Sequence, residues 1–218
     1  MENDVAGRIA QQTWARRAPE YASEVRRLLD AGLEVMRKRG TTSRPRVADI
    51  VTAAGLSNDA FYRHFASKDA LVGAILEDGT ERLGSYLAHQ MAKESRPEGQ
   101  VRRWVEGVLS QAADKDVAAT TLAVLWNAGT LGIGMAAGPA SAGGPLAVLL
   151  HEPFAQLVSA DPELDASLVA HAVVSKLADY LWRHERPKRA EVEHIAEFCL
   201  GAVRPRRARA VSTPRSRR

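Results

Sequence analysis

Cysteine is nearly missing from this chain: Cys199 is the sole thiol in 218 residues. One thiol excludes an internal disulfide and a cysteine-rich metal site. Long apolar runs are missing too, and nothing approaches the roughly 18 residues that a membrane helix needs. The first twenty residues mix Glu2, Asp4, Arg8, Gln11, Arg16 and Arg17 with no apolar block, so no secretory leader is expected. A cytoplasmic protein with no membrane partner is expected. The alternation of apolar and polar residues that marks half-buried strands is also scarce.

The chemistry of enzymes is equally thin. No nucleophile elbow, zinc-protease pair or phosphate-cradling loop occurs. The six histidines (His64, His89, His151, His171, His184 and His194) show no paired ligand spacing on one helix face, so no metal is expected. Gly132, Gly134 and Gly138 fall near a dinucleotide fingerprint but with one extra residue and no preceding strand. That pattern fits a flexible loop, and no cofactor is expected.

What remains is an ordinary globular composition with an uneven charge. Apolar residues make up 45% and charged residues 26%, which suits a buried core. Residues 1–70 carry 12 Lys and Arg against 9 Asp and Glu, whereas residues 71–203 carry 11 against 17. Residues 204–218 add seven arginines and no acid. A mildly basic head and a basic tail can meet a polyanion, and an acidic body would not. The tail is equally well explained as a solubilising, disordered extension.

Helical periodicity recurs along the chain. Val25, Leu28, Leu29, Gly32, Leu33 and Met36 form one face, closed by Gly40. Val47, Ile50, Val51 and Ala54 follow Pro45 and end at Gly55. Ser57 is a cap for a short helix to about His64, and Ser67 opens a longer one through Leu71, Ile75, Leu83 and Leu87. Further helices are expected around residues 101–114, 117–127 and 146–158, with Pro153 kinking or splitting the last of these. Asp161-Pro162-Glu163 is a strong helix start, and Pro187 opens a final helix. About nine helices and no sheet make this an all-α protein, with a mobile loop over Gly129–Gly144.

Residues 46–68, RVADIVTAAGLSNDAFYRHFASK, hold the sharpest signal. Two short helices flank Ala54-Gly55-Leu56-Ser57, where Gly55 can turn left-handed, Leu56 packs between the helices and Ser57 caps the second. This is the construction of a helix-turn-helix, although a generic helical hairpin looks alike. The stretch from Val25 to Leu76 resembles the tetracycline-repressor (TetR) family of bacterial regulators. The resemblance rests on the apolar helix closing at Gly40, Ile50, the Ala54–Ser57 turn, and Tyr62, Phe65, Lys68 and Leu71 at the family's spacing.

The resemblance implies a three-helix DNA-binding domain, placed over 21–68, a long fourth helix as connector, and a ligand and dimer domain over 69–203; a flexible arm is expected over 1–20, and the arginine-rich 204–218 is expected to be a disordered tail. It implies that Tyr62 and Lys68 contact phosphates, with Ser57 capping the recognition helix. Asn58, Arg63 and His64 lie on or beside its exposed face, where Asn suits adenine and Arg suits guanine or phosphate. Where relatives usually carry glycine and threonine this chain has Asp59 and Ala60. Asp59 must accept from a cytosine amine or pair with a cation such as Arg63, and Ala60 meets a thymine methyl or the core. Arg44 and Arg46 are candidate phosphate contacts or idle surface charges. Phe65 is assigned to the core.

A single helix-turn-helix reads few base pairs, so a homodimer on a two-fold operator in duplex DNA is expected. Leu168, Ala172, Leu177 and Leu181, with Ile195, Cys199 and Leu200, are the expected dimer face; completing the monomer core is the alternative. Leu83, Leu87, Trp104, Leu122, Trp126, Leu131, Met135 and Phe154 are candidates for an apolar pocket holding a small effector, against plain core. The functional expectation is a repressor released from its operator by that ligand. A helical protein–protein adaptor, or an enzyme with an unrecognised site, is the alternative.

Overall fold

The computed structural model describes residues 5–129 and 143–203. Among the described residues there are nine α-helices, one short 3-10 turn and no strand. They are α1 (Val5–Arg39), α2 (Val47–Ala54), α3 (Asn58–His64), α4 (Lys68–Met91), α5 (Pro97–Leu109), α6 (Lys115–Gly129), α7 (Gly143–Gln156), α8 (Pro162–Arg183) and α9 (Arg189–Val203), with Ser110–Ala112 as the 3-10 turn.

Local chemistry sets most boundaries. At the end of α1, Gly40 takes φ +57° and its N–H returns to the Met36 carbonyl at 2.8 Å. The start of α8 uses the Asp161 side chain, which accepts from the Leu164 N–H at 3.0 Å, with Pro162 in the first turn. Pro153 falls in the last turn of α7, which runs on to Gln156. The helix is not split there, and the Leu157 N–H returns to the Pro153 carbonyl at 3.0 Å.

One expectation is corrected at the N-terminus. Residues 5–20 are not a flexible arm but the first turns of α1. They bury almost nothing, so apolar periodicity could not reveal them. Alanine, glutamine and arginine are strong helix formers, and with them α1 extends beyond residues 21–39 in spite of Pro19 inside it. The expected Gly129–Gly144 loop and the 204–218 tail lie largely or wholly outside the described residues.

Two apolar cores follow. The first joins Leu28 and Met36 of α1, Ile50 and Val51 of α2, Phe61 of α3, and Leu71, Val72 and Ile75 of α4. Gly32 permits this packing, because a Cβ there would stand 2.8 Å from the Ile75 Cδ1. The same core takes in Ala123, Val124 and Ala128 of α6. Its limit is therefore not residue 68, since α4 and α6 supply part of its wall. The second core is built on Trp104 and Val108 of α5, Leu150 and Phe154 of α7, Val173 and Leu177 of α8, and Cys199 and Leu200 of α9. No helix among the described residues is long and apolar enough to cross a membrane.

Candidate nucleic-acid interface and cavity

The turn between α2 and α3 is fixed from both sides. Gly55 adopts φ 61° and ψ 39°, and the Leu56 N–H reaches back to the Val51 carbonyl at 2.9 Å. The Ser57 hydroxyl accepts from the Ala60 N–H at 3.1 Å, and Ser67 does the same for Ala70 at the head of α4. From α1, Arg27 donates to the carbonyls of Ala54 at 2.5 Å and Gly55 at 3.0 Å. A guanidinium thereby satisfies carbonyls that the end of α2 leaves open. Arg39, also on α1, pairs with Asp49 of α2 at 2.5 Å. The short helices are thus tied to a long rigid one.

With the turn fixed, α3 presents one face outward. Ser57, Asn58, Asp59, Tyr62 and Arg63 are all exposed, and the Tyr62 ring is 60% exposed while resting edge-on against Phe61. Lys68 stands half-buried at the first position of α4, where ammonium and helix dipole combine. Arg44 and Arg46 are exposed just before α2. Ala60, Phe61 and Phe65 are core residues, so Ala60 is removed from base contact.

His64 is not on the exposed face, contrary to expectation. Its side chain is completely buried, with Nε2 2.6 Å from the Glu24 carboxylate and the Tyr21 ring edge-on at 4.1 Å. Helix α3 has turned far enough by residue 64 to direct the ring at α1. Arg63 also reaches Glu24, at 3.2 Å. The cation that the sequence offered to Asp59 is therefore engaged elsewhere. Glu24, Arg27 and Tyr21 form the brace behind the recognition helix, and none was singled out in the sequence. They sit beside the apolar stripe of α1, and no spacing rule marks a flank that bonds across tens of residues.

A cavity of 590 Å³ opens where the two cores meet. Its wall takes Leu33 from α1, Ile75, Leu76, Leu83 and Tyr86 from α4, Val108 from α5, Thr121, Val124 and Leu125 from α6, and Val174 and Leu177 from α8. Of the expected pocket residues only Leu83 lines it. Leu87, Trp104 and Phe154 are solid core, the Trp104 indole N–H is spent on the Leu146 carbonyl at 3.0 Å, and the buried Leu122 borders a separate, smaller cleft with Ala112 and Ala119. Trp126 is half-buried away from the wall, while Leu131 and Met135 lie outside the described residues. Apolar character picked out buried residues, whereas the wall mixes apolar residues with Thr80, Thr120, Thr121 and Gln111 and with the charged Asp78, Arg82 and Asp116.

The expected dimer face divides in two. Leu177, Leu181, Cys199 and Leu200 are buried within the single chain, so they hold the monomer together and do not face a partner. Leu168, 60% exposed, and Ala172 remain outward, with Ile195 half-buried. Leu164, Trp182 and Phe198 join them as exposed apolar side chains on α8 and α9. The sequence ranked apolar rows, and on both helices the more regular row faces inward.

Residues 28–75 match the family model of bacterial regulatory proteins of the tetR family. The chain resembles that family. The matched segment contains the α2–turn–α3 unit, and the whole helical order is that of TetR-like regulators of known structure. The fatty acid degradation regulator FadR of Bacillus halodurans superimposes with a TM-score of 0.60 at 17% identity, covering 80% of this chain and 97% of its own. FadR of Bacillus subtilis in complex with stearoyl-CoA gives 0.58 at 12% identity, covering 81% and 96%. A tetR-family regulatory protein of Rhodococcus RHA1 gives 0.56 at 15% identity, covering 83% and 97%. No curated protein matches the sequence. At these identities the likeness establishes a TetR-like all-helical fold with an N-terminal helix-turn-helix.

Proposed function

We propose that this chain is a DNA-binding transcriptional regulator, acting as a homodimeric repressor that a small apolar ligand releases from its operator. The observation that carries the reading is the outward Tyr62, with Lys68 at the head of α4, on a helix-turn-helix locked by Arg27. A phenol and an ammonium at a capped helix end suit backbone phosphates, which position a recognition helix in the major groove. Asn58, Asp59 and Arg63 are the candidates for base edges, and Ser57, Arg44 and Arg46 for phosphates.

Exposed Leu164, Leu168, Trp182 and Phe198, with Ala172 and Ile195, suit a four-helix contact between α8 and α9 of two copies. The cavity supports ligand control because its wall includes residues of both cores. A ligand that fits only one arrangement of head and body shifts the population toward that arrangement. Stearoyl-CoA in the Bacillus subtilis neighbour makes an apolar chain a suitable first class to screen.

The test is duplex binding as a function of salt. Wild-type affinity should fall steeply as salt rises, because neutralised phosphates release counterions. A Tyr62→Ala, Lys68→Ala double variant should lose affinity on every sequence while remaining folded. Unchanged affinity in that variant would remove α3 and the head of α4 from the interface.

A further inference from the structure

We infer that the first turns of α1, over residues 5–20, form a second DNA-contacting element that follows the duplex beyond the recognition helix. The inference rests on the reading of α3 as the recognition helix.

The direction of α1 is the first argument. Toward its C-terminal end α1 packs on α6, and Arg37 borders a cleft with Ala112, Lys115 and Ala119 of the body. Nearer its middle, Tyr21 touches His64 and donates its hydroxyl to the Arg63 carbonyl at 3.5 Å, at the last turn of α3. Passing from residue 37 to residue 21 therefore leads from the body to the far side of the head. The helix continues past that point for 16 residues to Val5, with Pro19 inside this stretch, roughly 24 Å of helix at 1.5 Å per residue. Thr13, Trp14 and Arg17 of this stretch lie beside Arg63 at the end of α3, at the end of α1 away from its contacts with the body.

Charge and side-chain type are the second argument. The first turns carry Arg8, Arg16 and Arg17, all exposed, against Glu20. Trp14, Arg17 and Tyr21 lie three and four residues apart and share one face. Trp14 stacks toward Tyr21 with ring centres 5.7 Å apart, yet stays 60% exposed. Together with Thr13, Glu20, Glu24 and Arg63, these residues border an open notch between α1 and the end of α3. Glu24 in that notch is already matched by Arg63 and His64, which leaves Glu20 as the other acid among the described residues that border it. A phosphodiester strand leaving the recognition helix along α1 meets the Arg17 guanidinium and then the indole N–H of Trp14, with Arg16 on the adjoining face of the helix. Guanidinium and indole donors suit phosphate oxygens, and the indole face suits a sugar.

The test uses the full chain and a mixed-sequence 40-base-pair duplex as probe, with an Arg16→Ala, Arg17→Ala variant and its Lys,Lys counterpart. The slope of log affinity against log salt should shrink by about 0.9 for each phosphate that the variant no longer neutralises, and the lysine pair should restore most of it. Helicity and oligomeric state should not change, because both arginines are exposed. An unaltered slope in the alanine variant, alongside a loss in the Tyr62→Ala, Lys68→Ala variant, overturns this inference alone. Failure of wild type to bind any duplex overturns it together with the proposed function. Conversion of the alanine variant to monomer would assign the first turns to a second copy instead, and loss of binding to anionic vesicles with duplex binding intact would assign them to a membrane surface.

Discussion

Glu24 and His64 join α1 to the last turn of the recognition helix through a 2.6 Å contact between residues 40 apart in sequence. The imidazole is wholly buried and its Nδ1 meets no hydrogen-bond partner, so Glu24 is what holds the ring in place. The His64 hydrogen bond keeps the Glu24 carboxyl below its ordinary value of 4.5, helped by the charges of Arg63 and Arg27 against a penalty from partial burial. A carboxylate lowered on folding contributes stability that is complete above its unfolded value and disappears as pH falls through the folded one.

The thermal midpoint of wild type should therefore drop on acidification below about pH 4.5, and Glu24→Gln should flatten part of that drop. Because the variant also loosens the end of α3, duplex binding at neutral pH should weaken as well. Superimposable midpoint-versus-pH curves for the two proteins would show that the contact contributes nothing.

Charge placed on the inner and outer rows of the last two helices should have opposite consequences. Leu200 is buried in the second core, and Leu200→Glu strands a carboxylate there at a cost on the order of 3–5 kcal/mol, so the chain should be unfolded or much less stable. Phe198 is 64% exposed, and Phe198→Glu should leave helicity intact while producing monomers at micromolar concentration. Sedimentation with circular dichroism separates the two; a Phe198→Glu protein that stays dimeric would move the interface elsewhere.

Val158 follows α7 at φ 59°, a left-handed conformation that a β-branched side chain adopts only under strain. It is 70% exposed, so little packing goes with the side chain. Val158→Gly should stabilise the protein by about 1 kcal/mol, raising the thermal midpoint by about 2–4 °C. A lower midpoint would contradict the strain argument.

Cys199 is buried against α5 and α8, and burial pushes its thiol up to about 11. At neutral pH only about one thiol in ten thousand is then ionised. Iodoacetamide should label the native chain very slowly and the denatured chain quickly. Equal rates would mean that the α9 packing opens readily.

Much of the head was legible because its signals are local. Gly40, Gly55, Ser57 and Ser67 act within a few residues of themselves, as does Asp161-Pro162 at the start of α8, and each sits where its backbone chemistry requires. The site was legible only in part. Tyr62 faces outward as expected, but His64 is turned inward by a carboxylate 40 residues away, which no helix periodicity encodes. The cavity was hardest to locate. Trp104 and Leu122 are as apolar as any pocket lining, and only the packing of α4, α6 and α8 shows that the space opens beside Leu83 and Thr121 instead.

Helix α6 serves two masters: Ala123, Val124 and Ala128 close the first core, while Leu122, one residue earlier, is buried in the second. Modular exchange of the kind that swaps one reading head for another has no clean seam here. A fragment ending with α4 would open to solvent the apolar faces of α1 and α4 that pack on α6, and should be sticky rather than soluble. A working chimera would have to carry α6 along with the head, or else redesign the donor's α1 and α4 to accept a foreign lid.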